Sequence, residues 1–295
     1  MRINTSINAL VELIDDPDEG IATHVHSKIV EQGCAALPQL EKLQNRYLDN
    51  PAKSERLAKI IHYIEFQNLK ADLKRWIDSE DKNLLEGVFL VCKYQYPELT
   101  IDALNKSLLT IKKDIWIEIN PRQTSFEQVK IFNKIFFDHF DFKRTNLAEQ
   151  SPHDFFINAV LQSREGSETA LGLIYSIIGQ SLDLPIYGVS VIEPSPSFIL
   201  AFQDRNNILE MLNWGINNNG VLFYISVSNR GIIVDPKRLM RIFRSRNMHL
   251  AKEQFEPTPN TVVVKHYLIE IADCCKNIPH FRYKIDELNE LIALF

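Results

Sequence analysis

Phe155 to Phe202 reads FFINAVLQSREGSETALGLIYSIIGQSLDLPIYGVSVIEPSPSFILAF, and this run decides the fold. Residues 163–167 form a polar turn in which Gly166 relaxes the backbone and Ser167 offers an N-cap oxygen. From Glu168 an apolar face follows at three- and four-residue steps: Leu171, Ile174, Tyr175, Ile178 and Leu182. Ala170, Gly172 and Gly179 are small enough to let a sheet or helix approach closely. Pro185 disfavours helix at Leu184, so the helix should end near Leu182. Pro185 to Val191 then reads as a strand, residues 193–197 as a loop, and Phe198 to Phe202 as a second strand. Asn206 and Asn207 make a turn before Ile208 to Leu212.

A buried helix opened by a Gly-containing turn and followed by antiparallel strands is the core of the transglutaminase/papain-like fold. Phe155, Asn158, Arg164-Glu165-Gly166, Leu171 to Tyr175 and Leu182 to Val189, with a strand from Phe198, resemble the SirB1-like subfamily of the transglutaminase-like superfamily. The resemblance covers residues 145 to 280 or thereabouts. It implies an α+β domain with a small antiparallel sheet. In active members of the superfamily a Cys opens the helix, a His opens a following strand and an Asp or Asn lies on the next. The helix N-terminus and the His lower the thiol pKa, and the third residue orients the imidazole. Carried onto this chain, the Cys position falls on Glu168, beside Ser167. The His position falls on Ser197, and the third near Met211 or Asn213. A carboxylate cannot replace a thiolate in acyl transfer from an amide, and a Ser without a base is inert near neutral pH. The resemblance therefore implies a domain that has lost its nucleophile and base. Its cleft would be formed by Ser167, Glu168, Ser197, Asn213 and Trp214.

Around this segment the 295 residues are 45% hydrophobic and 24% charged, with a net charge of −5, enough chain for two domains. No basic run precedes a long apolar one at the N-terminus, and no apolar stretch reaches membrane-spanning length. Cys34, Cys92, Cys274 and Cys275 are scattered without a CxxC, as expected of reduced thiols in a cytoplasmic protein.

Residues 1–120 read as successive helices. Leu10, Leu13 and Ile14 form one face. Asp15 to Asp18 caps the next helix, where Ile21, Ala22, Val25 and Ile29 face inward. Gly33 ends it, and Leu37, Leu40 and Leu43 continue in another. The pattern recurs: Ile77, Asp78 and Asp81 match Ile14, Asp15 and Asp18, and Leu84, Leu85, Val88 and Cys92 match Ile21, Ala22, Val25 and Ile29. This looks like HEAT-type repeats, whose stacked helices bury their faces on neighbours and offer a surface to a protein partner. A plain helical bundle is the alternative. Trp76 and Trp116 are expected in the core.

Residues 121–150 read as a bridge. Phe126, Val129, Phe132, Ile135, Phe136 and Phe140 form an apolar helical face that docks the helical half onto the domain of residues 151–295. Past the central run, Val221 to Val227 alternates as a strand and turns at 228–231 into Ile232 to Val234. A helix from Asp235 carries Lys237, Arg241 and Arg244 on one face, with Leu239, Ile242 and Phe243 inward. The chain is acidic overall and lacks aromatic–basic interleaving, which argues against nucleic acid and for a solvated face paired with acids. Two helices close the chain, one with Tyr267, Ile271 and Cys274, the other with Leu288, Leu291 and Ile292.

No metal or cofactor site is expected. His24 and His26 are two apart on a helix and point apart, and His249, His266 and His280 lack neighbours at ligand spacing. Nucleotide loops of the GxGxxG or GxxxxGK kind are absent. Three readings follow. The first is a non-catalytic interaction or regulatory module. The second is a hydrolase with a rearranged site, Ser167 or Glu168 with His153. The third is a scaffold whose cleft is filled by Tyr175, Tyr187 and Phe198.

Overall fold

The computed structural model describes residues 7–146, 150–191, 197–205, 220–245, 255–276, 281 and 284–295. The chain forms two compact units, Met1–Arg75 and Trp76–Phe295. The division falls far upstream of position 120, because helices from 76 onward pack with the central helix and not as a separate layer.

In the first unit, helices α1 (Ile7–Glu12), α2 (Glu19–Val30), α3 (Leu37–Arg46) and the start of α4 (Pro51–Asp78) close on one core. Val11, Ile29, Leu40 and Leu57 are fully buried there. Asp18 caps α2 by accepting from the backbone of Gly20 at 2.8 Å. Lys53 is buried at 7% side-chain exposure and balanced by Glu12 at 3.2 Å and Asp15 at 3.6 Å. Two residues expected inside face water: Leu13 is 47% and Ile21 41% exposed. The two sequence copies agree only in part. Val25 and Ile29 are buried like Val88 and Cys92. Leu84 is buried where Ile21 is not, and the second helix is capped by Asn83 and not by Asp81.

The second unit is built around α9 (Glu168–Ser181). Every residue from Thr169 to Gly179 is buried, so the helix is enclosed on all sides and not along one stripe. On one side lies an antiparallel sheet of order β3-β4-β5-β6, formed by β3 (Ile186–Val191), β4 (Ser197–Gln203), β5 (Val221–Ser226) and β6 (Ile232–Val234). The expected strands are present, with β3 and β4 in the register Gly188↔Leu200. Gly172 lets Phe198 of β4 lie directly on the helix; a Cβ there would sit 2.5 Å from the ring. The other sides of α9 meet α5 (Leu84–Gln95), α6 (Ile101–Glu118) and α8 (Ile157–Ser163).

Helix α7 (Ser125–Asn133) opens with a Thr124/Glu127 capping box and continues as a π-helical stretch over Lys134–His139. The expected Phe-rich face docks here: Phe132 stacks on Tyr175 of α9 at 3.9 Å between centroids, and Phe136 on Phe142 at 4.2 Å. Phe126 departs from that face and is 44% exposed. Trp76 is buried against Gly87, as expected, whereas Trp116 is 68% exposed. A short parallel pair, β1 (Lys143–Arg144) with β2 (Glu165–Gly166), brings Arg144 beside the start of α9.

Helix α10 (Pro236–Ser245) exposes Lys237, Arg238, Arg241 and Arg244 and buries Leu239. These four cations pair with no acid among the described residues. The side chains of Ile242 and Phe243 lie outside what is described. Helices α11 (Asn260–Lys276) and α12 (Lys284–Ile292) close the unit. Tyr267 of α11 is fully buried, donates to the carbonyl of Phe155 at 2.6 Å and touches Cys92 Sγ at 3.8 Å.

Candidate functional site

The N-terminus of α9 is where four separate elements deliver polar side chains to one place. Its geometry begins with Gly166, whose missing Cβ would stand 2.5 Å from Val160 and 3.1 Å from the Asp154 carbonyl. That close approach allows Ser167 N–H to donate to Asp154 O at 2.7 Å. Ser167 then takes extended backbone angles and caps the helix, its Oγ accepting from Ala170 N–H at 3.1 Å. It is 2% exposed.

Glu168 follows, 21% exposed, with its carboxylate 3.6 Å from the guanidinium of Arg144. Burial pushes its pKa up, opposed by Arg144 and by a hydrogen bond from Ser228 in the β5–β6 turn. Ser228 is held by Ser226, and Ser226 by Asn229 at 2.9 Å. From α11, Glu270 reaches the hydroxyl of the buried Thr169. Its carboxyl is pushed up to about 7, first by burial, then by the charges of Glu168 and Asp273, with the Thr169 hydrogen bond opposing. One turn before it, His266 is partly buried; burial lowers its pKa, and its Nδ1 is buried without a hydrogen-bond partner among the described residues.

Of the residues singled out in the sequence, Ser167 and Glu168 lie at this centre. His153 does not join them. Its Nδ1 pairs with Tyr96 Oη at 2.7 Å on an exposed surface, and no hydrogen bond links it to Ser167 or Glu168 among the described residues. The neighbouring Asp154 does reach the site, through its carbonyl, which accepts from Ser167 N–H. Ser197 opens β4 opposite Val191. Met211, Asn213 and Trp214 lie outside the described residues. Of the residues named for a self-filled cleft, Tyr175 and Phe198 are buried and Tyr187 is partly exposed.

Arg144, Thr169, Ser228 and Glu270 were not singled out. Glu270 alone had a local signal, a carboxylate set between Tyr267, Leu268 and Ile271 on an apolar helical face. The thiols stand apart from this chemistry: burial pushes Cys92 and Cys274 up to about 11 and also raises Cys275. Such thiols stay protonated near neutral pH. Among the described residues no three His, Cys, Asp or Glu side chains gather as metal ligands. The arrangement offers two carboxylates, a guanidinium and the hydroxyls of Ser167, Thr169 and Ser228 at a helix N-terminus. Such a set can hold and move a proton near neutral pH, or bind a polar group.

A helix enclosed on all sides, opened by this cap and flanked by an antiparallel sheet, defines an α+β domain of the transglutaminase type. The chain belongs to the transglutaminase-like superfamily, whose family model matches residues 102–268. It is also similar to the UPF0162 protein of Vibrio cholerae, 24% identical over 113 residues, which is 38% of this chain and 42% of that protein. The match thus spans less than half of the relative's length. No solved structure matches the chain. No helix among the described residues is long and apolar enough to cross a membrane.

Proposed function

We propose that the chain is a SirB1-like member of its superfamily that has lost acyl-transfer chemistry and acts in the cytoplasm as a protein-interaction or regulatory module. The observation that carries this reading is Glu168. It occupies the position that the resemblance assigns to the nucleophilic Cys, and it is held by Arg144 at 3.6 Å and by Ser228. Neighbouring Ser167 uses its oxygen as a helix cap, and His153 is engaged with Tyr96. A nucleophile needs a base within hydrogen-bonding reach, and none of the three provides that pair.

A second reading, a hydrolase with a rearranged site, is favoured by the carboxyl of Glu270, which burial brings to about 7 beside Glu168. That is the range in which a carboxyl exchanges protons during turnover.

The test assays the intact chain and its Ser167→Ala, Glu168→Gln and Glu270→Gln variants against amide, ester and amine-transfer substrates. The module reading expects all four at the background rate. A rate abolished by one of these substitutions would establish the hydrolase instead. In parallel, capture from native extract with the intact chain is expected to return a near-stoichiometric partner.

A further inference from the structure

Helix α6 buries Leu104, Leu108, Ile111 and Ile115 and still leaves large apolar side chains in water. Leu109 is 44% and Trp116 68% exposed. They stand two turns apart on one face of the helix. Each lines a cavity. The first, about 350 Å³, lies among α5, α6 and α9, with Leu85, Leu108, Ile177 and Ile178 among its walls. The second, about 400 Å³, is bounded by Trp116, Ile119, Leu184, Pro185 and Phe202. The two follow one another along the same helices: Ser181 lines the first and Leu182 the second, while Lys112 lines the first and Trp116, one turn on, the second. Together they make a groove that follows α6 toward the C-terminal end of α9, away from the cluster at Glu168.

Charge divides this groove. Lys106 and Lys112 line the first cavity and make no ion pair or hydrogen bond from their side chains among the described residues. Asp102, one turn before Lys106, also lines it without pairing to that lysine. At the other end stands Asp183, in left-handed backbone (φ 59°) just past α9, its carboxylate likewise unpaired among the described residues. The helix C-terminus adds negative potential there. The nearby cation, Arg205, is engaged with the Tyr187 hydroxyl at 2.5 Å. From Lys106 to Trp116 the groove runs about 15 Å, roughly ten residues of a helix or five of an extended strand.

We propose that this groove docks an amphipathic protein segment. Large apolar side chains enter the two cavities, acidic residues face Lys106 and Lys112, and a basic residue faces Asp183. The inference rests on reading the chain as a binding module and gives that module a face and a partner chemistry. An anionic lipid would satisfy the lysines and leave Asp183 opposed. A protein segment can match both ends.

The probe is a fluorescein-labelled helical peptide of about 14 residues, roughly four turns. It carries Leu and Phe on one face, Glu in its first half and Arg at its end. A second peptide has Lys in place of each Glu. Anisotropy titrations use the intact chain, K106E/K112E and Trp116→Ala. The intact chain is expected to bind the Glu peptide at least tenfold more tightly than the Lys peptide. K106E/K112E should reverse that order, and Trp116→Ala should weaken both by tenfold or more. Equal binding of both peptides, an order unchanged in K106E/K112E, or no binding overturns the groove. Sedimentation showing a dimer of the intact chain that Trp116→Ala dissolves also overturns it, since a second copy then occupies the face. A captured partner retained equally by K106E/K112E and Trp116→Ala overturns the groove while the module reading stands.

Discussion

Glu270 of α11 reaches the N-terminus of α9 beside Glu168, and the charge on Glu168 raises the cost of ionising Glu270. Burial raises Glu270 most, the Thr169 hydrogen bond opposes it, and the charge of Glu168 adds to the rise, so that its carboxyl stands at about 7. An unfolded Glu titrates near 4.5, so the folded state holds this proton over the interval between the two values. The stabilisation is complete below the unfolded value and is lost as pH rises through 7. Its size is on the order of 3 kcal/mol. Glu168, also raised, acts with the same sign. Urea unfolding of Glu270→Gln and of the unchanged chain should therefore agree near pH 5 and diverge near pH 8, with the variant more stable by roughly 2–3 kcal/mol. A constant difference across that range would show that Glu270 is not held protonated by the fold.

Asn133 ties the aromatic bridge to both the central helix and the sheet. Its Oδ1 accepts from Tyr175 Oη at 3.0 Å, and its Nδ2 donates to Gly231 O at 2.7 Å. Tyr175 is fully buried, so Asn133→Ala strands a hydroxyl and a carbonyl together. The expected loss is roughly 2–4 kcal/mol by chemical denaturation. Asn133→Asp should also destabilise, since a carboxylate cannot donate to the carbonyl.

Gly172→Ala would place a Cβ 2.5 Å from the Phe198 ring, where neither helix nor strand can recede. Overpacking of this kind costs about 1–3 kcal/mol. Phe198→Leu, destabilising alone by leaving a void, should relieve the clash. A double-mutant cycle is expected to give a coupling of at least about 0.5 kcal/mol, and strict additivity would remove the contact from the account.

The thiols should react in a fixed order. Cys34 is exposed, while Cys92 and Cys275 are buried and Cys274 is intermediate. With the last three raised by burial, iodoacetamide near neutral pH should label Cys34 first and Cys92 last. Peptide mapping before and after unfolding reads the order directly, and early labelling of Cys92 would contradict the packing of α5 against Tyr267.

Much of the second unit was legible in the chain itself. The turn at Gly166–Ser167, the helix after it, the stop before Pro185 and four strands are local events, dictated by capping, by proline and by alternation. Helical periodicity also marked the residues that would be buried, but not which helices would enclose which. It placed Leu13 and Ile21 inside, where the structure exposes them, and Trp116, expected in the core as a large aromatic, is exposed as well. Periodicity reports that a face is apolar and carries no information about whether a neighbour exists to cover it. The repeat between α2 and α5 failed at Ile21 for the same reason.

For the site, the sequence by itself determined that Ser167 would cap the central helix and that a carboxylate would stand next to it. The superfamily resemblance then placed that carboxylate where a thiol is expected. Only the tertiary structure decided what that carboxylate meets. Arg144, Ser228 and Glu270 lie on a short strand, a turn and a late helix, each unremarkable in its own window. What joins them is long-range packing around α9. A buried charge acquires its pKa and its partners from the groups the fold brings within a few ångströms, and not from its neighbours along the chain.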